Sequence, residues 1–427
     1  MIWSVAVSLL ALMALSLPVG IVLFLLGIGV AEFYSSFPLL RGLGQMVWSS
    51  SASSTLIAIP LFVLLGEILV RGGVASRTYT ALDKWLSWLP GGLIHANIAT
   101  ATMFSATSGS SVATAATVST VALPQGESLG YDPRLFTGAI AAGGTLGILI
   151  PPSINLIIYG FLTETSIPQL FLAGLLPGLM MALAFILVTV GLCMMWPILG
   201  GPSRRFGWAE RFRGLVHLVP ILLLFGVVIG SIYAGWATPT ESAAIGVLMA
   251  IGIATFFGDG LNVLAISEAL HGTIRITSMI MLVIVAAYFL NFAMASAGMG
   301  RKLGQMIVGS GLSPFGTLLL VIALYIVLGF FIETLSLMVA TIPIVVPIMA
   351  ELGYDKVWFG ILLIVLIEMA LITPPVGLNL FVVQGTRKSG SMKDVIVGVM
   401  PYVAVMLLMI VALILLPNIA LWLPSVL

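Results

Sequence analysis

The chain has 427 residues, of which 60% are hydrophobic and only 7% charged, with a formal net charge of +1. A soluble domain carries about 25% charged residues, so this chain cannot cover itself with polar surface and takes the bilayer as its solvent, with backbone groups satisfied inside helices. The near-neutral charge argues against nucleic acid as a partner, and the lone Cys193 excludes an intramolecular disulfide or a multi-cysteine metal site.

In chain order, residues 2–31 read as one span with a kink at Pro18-Val19-Gly20, too long and too apolar for a cleavable signal peptide. Residues 34–50 read as a loop. Residues 54–70 span again, with Glu67 one turn before Arg71 and Gly72-Gly73 ending the helix. Residues 74–90 read as an amphipathic arm. Residues 93–123 are interrupted by Thr107 to Ser111 and read as a re-entrant hairpin of two half-length helices. Residues 133–161 form a span broken at Pro151-Pro152. A further helix lies within 165–196, and the arginine-rich stretch 199–214 is the longest polar connection, dividing the chain into repeats over 1–198 and 215–427. In the second part, 215–234 and 242–257 span, with Glu241 placed to cap the helix after Thr238-Pro239-Thr240. Residues 262–275 read as a second arm, 276–297 as a span, and 314–350 as a second hairpin with its tip near Glu333 to Ser336. Residues 356–385 are a second broken span, and 397–424 the last helix. Threading these spans leaves only Arg41, Arg301, Lys302 and Lys356 of the 16 basic residues on one side, so the 199–214 connection is cytoplasmic.

The two parts repeat one another. Leu352-Gly353-Tyr354-Asp355 follows Leu129-Gly130-Tyr131-Asp132 at an offset of 223 residues (352 − 129), and Pro374-Pro375 follows Pro151-Pro152 at the same offset. The expected fold is therefore an all-α polytopic membrane protein of two inverted repeats, each with a hairpin and a Pro-Pro broken helix. Proline removes the hydrogen-bond donor for the carbonyl four residues earlier. Pro151 and Pro152 free the carbonyls of Gly147 and Ile148; Pro374 and Pro375 free those of Ala370 and Leu371. Bare carbonyls at mid-membrane are costly unless something meets them, and Na⁺ is suited to an all-oxygen cradle. The bland reading, a proline kink satisfied by neighbouring helices, is weaker for two repeat-related breaks than for one. Glu333, a carboxylate near mid-membrane, can balance a cation, carry a proton or orient neighbours, or it can be a structural salt-bridge partner. Glu67 with Arg71 reads as a structural i,i+4 pair, and Glu368 stands open between structure and function. No HExxH or GxSxG motif supports an intramembrane enzyme.

Three stretches carry a family resemblance: Phe171-Leu172-Ala173-Gly174 with Leu176-Pro177-Gly178, Thr238-Pro239-Thr240-Glu241-Ser242-Ala243-Ala244, and most specifically Glu368-Met369-Ala370-Leu371-Ile372-Thr373-Pro374-Pro375-Val376-Gly377-Leu378-Asn379. They resemble the large membrane subunit of TRAP (tripartite ATP-independent periplasmic) transporters, the DctM-like family. The resemblance implies a non-enzymatic Na⁺-coupled importer of the bacterial inner membrane, working as an elevator in which a transport domain moves against a scaffold. Its implied partners are a small membrane subunit of about four helices, expected as a separate chain, and a periplasmic binding protein. The implied substrate is an organic acid such as a C4-dicarboxylate or a sialic acid, with Na⁺ as coupling ion and no cofactor. On this reading one sodium site takes Ser108, Gly109, Ser110, Gly147, Ile150 and Ser153, and the other Gly329, Glu333, Thr334, Ala370, Thr373 and Val376. The substrate pocket between them takes Thr107, Ser111, Asn155, Ser336, Gly377 and Asn379. The alternative is a carrier of the same plan, such as a Na⁺/dicarboxylate symporter, that works without a binding protein.

Overall fold

The computed structural model describes residues 2–15, 17–35, 38–108, 110–202, 204–299 and 312–426. Among them every regular element is helical. The first half runs α1 (Ile2–Ala14), α2 (Val19–Tyr34), α3 (Leu43–Ser51), α4 (Ala58–Arg71), α5 (Val74–Leu86), α6 (Leu93–Ser108), α7 (Ser111–Ser128), α8 (Pro133–Leu149), α9 (Ile154–Thr163) and α10 (Ile167–Met195). The second runs α11 (Trp208–Tyr233), α12 (Pro239–Phe256), α13 (Val263–Ser296), α14 (Pro314–Gly329), α15 (Thr334–Glu351), α16 (Lys356–Ala370), α17 (Leu378–Thr386), α18 (Met392–Leu415) and α19 (Asn418–Val426). Eight of the helical stretches are long and apolar enough to cross a membrane.

Several boundaries differ from the sequence reading. Residues 2–31 make two helices, because Pro18 stands in an extended conformation before α2. Leu43–Ser51, most of which falls in the stretch 34–50 read as a loop, is helical. The second arm is not separate: α13 runs unbroken for 34 residues, since polar side chains change a helix's face without ending it. The last helix divides at Leu416-Pro417, where proline withholds its donor.

The turns show why the repeated motif folds the same way twice. Gly130 and Gly353 take left-handed φ of 71° and 86°, which glycine adopts without a Cβ penalty. The next amide closes each helix: Tyr131 N–H donates to the Gly126 carbonyl at 3.1 Å and Tyr354 N–H to Met349 at 3.0 Å. Asp132 and Asp355 then cap α8 and α16, accepting from the amides of Arg134 and Trp358. Thr238 and Glu241 form the predicted capping box of α12.

Burial separates two classes of helix. The most apolar window of the α8–α9 stretch is 94% buried, whereas that of α11 is 39% buried and turns Leu222 and Leu223 outward. All of Val357–Ala370 in α16 is buried as well. The broken helices are thus the interior, wrapped by α6, α7, α10 and α18, while α2, α4, α12 and α13 pack together as a separate wall. α8 and α18 touch through backbone: a Cβ on Gly138 would overlap Gly398, and one on Gly398 would overlap the Arg134 carbonyl.

Candidate functional site

Three helix N-termini converge on one cavity of about 380 Å³. Ser110 caps α7, its Oγ accepting from Ala113 N–H at 3.3 Å. Ser153 caps α9 by accepting from Leu156 at 3.3 Å. Glu333 caps α15, its two oxygens accepting from Leu335 and Ser336 at 3.1 and 3.0 Å. Ser110 and Ser111, Asn155, and Glu333 and Thr334 line the cavity. Among the described residues, the Asn155 amide nitrogen and the Thr334 hydroxyl are buried without a partner. Each helix N-terminus carries about half a positive charge, so the polar wall favours an anion, although the Glu333 carboxylate offsets the end it caps. The opposite wall is apolar: Val63 and Val70 of α4 with Ile276, Met279 and Ile280 of α13. The last turn of α4 adds Glu67 and Arg71, which is the one cation among the described lining residues. Arg71 pairs with Glu67 at 3.0 Å, as the i,i+4 spacing predicts, and with Glu268 at 2.5 Å. Its place on the cavity carries no signal in the sequence, where 39 residues separate it from Ser110 (110 − 71).

The two breaks differ in how their freed carbonyls are met. In the second, the Leu371 carbonyl accepts from Asn379 N–H at 3.1 Å and the Ala370 carbonyl from Thr373 at 3.3 Å. Thr373 also donates its hydroxyl to the Met369 carbonyl at 2.6 Å. In the first, no described donor reaches the carbonyl of Gly147 or Ile148, so these oxygens are the more open cradle. The Ser153 carbonyl is occupied by Ile157 N–H at 3.1 Å, and Ile150 ends α8 in an extended conformation.

Gly329, Glu333, Val376 and Gly377 share a smaller cavity of about 160 Å³ with Leu371, and Gly329 packs directly on Ala370. Glu333 and Leu371 line both cavities. Asn379 lies apart from the larger one: its Nδ2 donates to the Ala141 carbonyl at 3.2 Å, and its Oδ1 is buried without a partner among the described residues. Ser336 lines neither cavity and serves the cap of α15. Thr107 and Ser108 close α6, but their side chains lie outside the described residues, as does Gly109. The link that sequence reasoning missed is between Ser111 and Glu368. Ser111 Oγ donates to Glu368 Oε2 at 2.6 Å, tying the first hairpin tip to the second broken helix, while Glu368 Oε1 is buried without a partner among the described residues.

Residues 6–419 match the family described as the DctM component of the tripartite ATP-independent periplasmic transporter. The chain belongs to that family. This DctM-family chain is 33% identical to the C4-dicarboxylate TRAP transporter large permease protein DctM of Vibrio cholerae, over 97% of the chain and 94% of the relative. It is 32% identical to the sialic acid TRAP transporter large permease protein SiaM of the same organism, over 77% of each. Among solved structures, the YdaH transporter of Alcanivorax borkumensis superposes with a TM-score of 0.61 over 95% of this chain and 97% of that one. At 14% identity this is a likeness of fold alone. The DctM-family chain is thus a multi-pass membrane permease subunit and not an enzyme.

Proposed function

We propose that this subunit imports a small organic anion, a C4-dicarboxylate, a sialic acid or a related carboxylate, across the bacterial inner membrane with Na⁺ as coupling ion. The observation that carries the reading is the cavity where the N-termini of α7, α9 and α15 meet: the positive ends of three helix dipoles face a space sized for a small anion, with Arg71, itself paired to Glu67 and Glu268, on its wall. The relatives named for C4-dicarboxylate and sialic acid both handle carboxylates. Sodium binds at the two hairpin–break junctions. At the first, the carbonyls of Gly147 and Ile148 face no described donor, and the residues about Ser110 complete the oxygen set. At the second, the ion enters the small cavity between Glu333, Gly329 and Val376. Sodium at these junctions orders the tips and offsets their carbonyl dipoles, and the anion then completes the pocket between them.

The bonds that recur at 223 residues support two repeats, 1–198 and 215–427; in this reading the two have opposite sense and are joined by the cytoplasmic connection 199–214. One hairpin then enters from each side of the membrane, as alternating access requires. The buried broken helices and hairpins form the moving body of an elevator, and α2, α4, α12 and α13 the scaffold. A periplasmic binding protein delivers the substrate, and a small membrane subunit of about four helices braces the scaffold.

The test is uptake by proteoliposomes holding this chain with its binding protein and small subunit. An inward Na⁺ gradient should drive carboxylate uptake, and K⁺ in its place should not. Ser110→Ala removes a cap worth about 1 kcal/mol and should lower Na⁺-dependent uptake roughly fivefold. Uptake indifferent to Na⁺ sinks the coupling, and uptake without the binding protein favours an independent carrier.

A further inference from the structure

A separate cavity of about 300 Å³ shares no residue with the site at the tips. It forms where Trp88, just past α5, meets Arg205 and Phe206 of the connection and Trp208 and Arg211 of α11, so that every lining residue is an arginine or an aromatic. Three contacts hold the pocket's walls together. Trp85 Nε1 donates to the Arg211 carbonyl at 3.0 Å, the Trp85 ring meets Phe212 edge-on at 5.9 Å, and the Arg211 guanidinium stacks 5.2 Å from the Trp208 ring centroid. Neighbouring Arg204 is committed to Asp83 at 2.7 Å. Arg205 and Arg211 are not committed: among the described residues neither meets a carboxylate, and Arg211 Nε is buried with no acceptor.

A guanidinium presents a planar fork of donors matched to a phosphate or carboxylate. Trp88 and Trp208 are 56% and 66% exposed, which in a membrane protein suits the headgroup level at the end of a span. A second observation points to a lipid. From the pocket, the exposed side chains Phe212, Val216, Val219 and Leu223 follow one another at helical spacing along α11, an apolar track leading away from the two arginines. A free phosphate has no use for such a track, whereas an acyl chain does. We propose that this pocket binds the phosphate of an anionic phospholipid in the leaflet beside the 199–207 connection, with an acyl chain laid along the Phe212–Leu223 face.

The test is native mass spectrometry of the purified full chain with phosphatidylglycerol or phosphatidylcholine. The wild type should retain phosphatidylglycerol preferentially, and Arg205→Gln/Arg211→Gln should weaken that retention by roughly tenfold or more. Val219→Gln/Leu223→Gln should weaken it without altering the charge. Should the double arginine variant not fold, Arg205→Gln, at an exposed position, gives the same readout. Equal retention by wild type and arginine variants overturns the proposal. Displacement by millimolar inorganic phosphate with no effect of the track variant assigns the pocket to a soluble anion and overturns it too. Lipid lost once the small membrane subunit joins assigns the face to that subunit, with the same consequence.

Discussion

Ser111 and Glu368 stand 257 residues apart and share one hydrogen bond of 2.6 Å. Glu368 is fully buried, and Ser111 supplies the one described donor to its carboxyl group. A carboxyl group among apolar side chains is costly unless partnered. Ser111→Ala leaves both oxygens without a described donor and should destabilise the protein by about 1–3 kcal/mol, read as a lower Tm of the purified protein. In a Glu368→Leu background the same change should cost almost nothing, because the partner it served is gone. Equal losses in both backgrounds would place the effect of Ser111 elsewhere. The sequence makes Glu368 visible as an acid in an apolar helix, but not its partner, since no periodicity connects residues at that separation. The same holds for Arg71: its pairing with Glu67 follows from helical spacing, whereas its place on the cavity depends on how α4 crosses the hairpins.

At the scale of elements, what was legible is what local chemistry dictates. The proline pairs end α8 and α16 near the expected positions, the Leu-Gly-Tyr-Asp turns recur with the same hydrogen bonds, and the capping box opens α12. What was not legible depends on packing: the helical Leu43–Ser51 and the unbroken α13 carry no local signal that separates them from a loop or from an arm and a span. The freed carbonyls are a mixed case. Proline predicts which oxygens lose their donor, but not that Asn379 N–H reaches back to Leu371 and leaves the two breaks unequal. Packing also sets the tightest approach among the described glycines, where α8 meets α18 at Gly138 and Gly398. An added methyl group there meets backbone, which cannot move aside as a side chain does. Gly138→Ala or Gly398→Ala should therefore cost about 1–3 kcal/mol or more, seen as poor yield and a lowered Tm. Gly226→Ala in α11, where nothing lies within 4 Å of the added Cβ, is the control and should leave both unchanged. Tolerance of alanine at both tight positions would show that the two helices can separate freely.

For the whole molecule, the informative boundary is the seam between the scaffold wall and the buried broken helices. The ion pairs of Arg71 with Glu67 and Glu268, and of Arg77 with Asp259, join α4, α5 and the α12–α13 region to one another. That of Arg387 with Asp394 lies between α17 and α18. Among the described residues, no ion pair or side-chain hydrogen bond ties α2, α4, α12 or α13 to the hairpins or the broken helices. Side chains such as Val63, Val70 and Ile280 face the tips instead. Dispersion between such groups has no preferred direction, so one body can slide along the other without breaking a polar bond at each step. On the proposed elevator this sliding is the transport step, so a tether should stop it. Cys193, the single native cysteine, is buried and can be replaced by serine to give a clean background. Val70→Cys on α4 and Thr117→Cys on α7 line the same cavity from opposite sides of the seam. Joining them with a short bismaleimide should abolish uptake, while the double variant left unbridged should retain it. Transport surviving in protein shown by mass spectrometry to be fully bridged would mean that the two bodies need not move past each other.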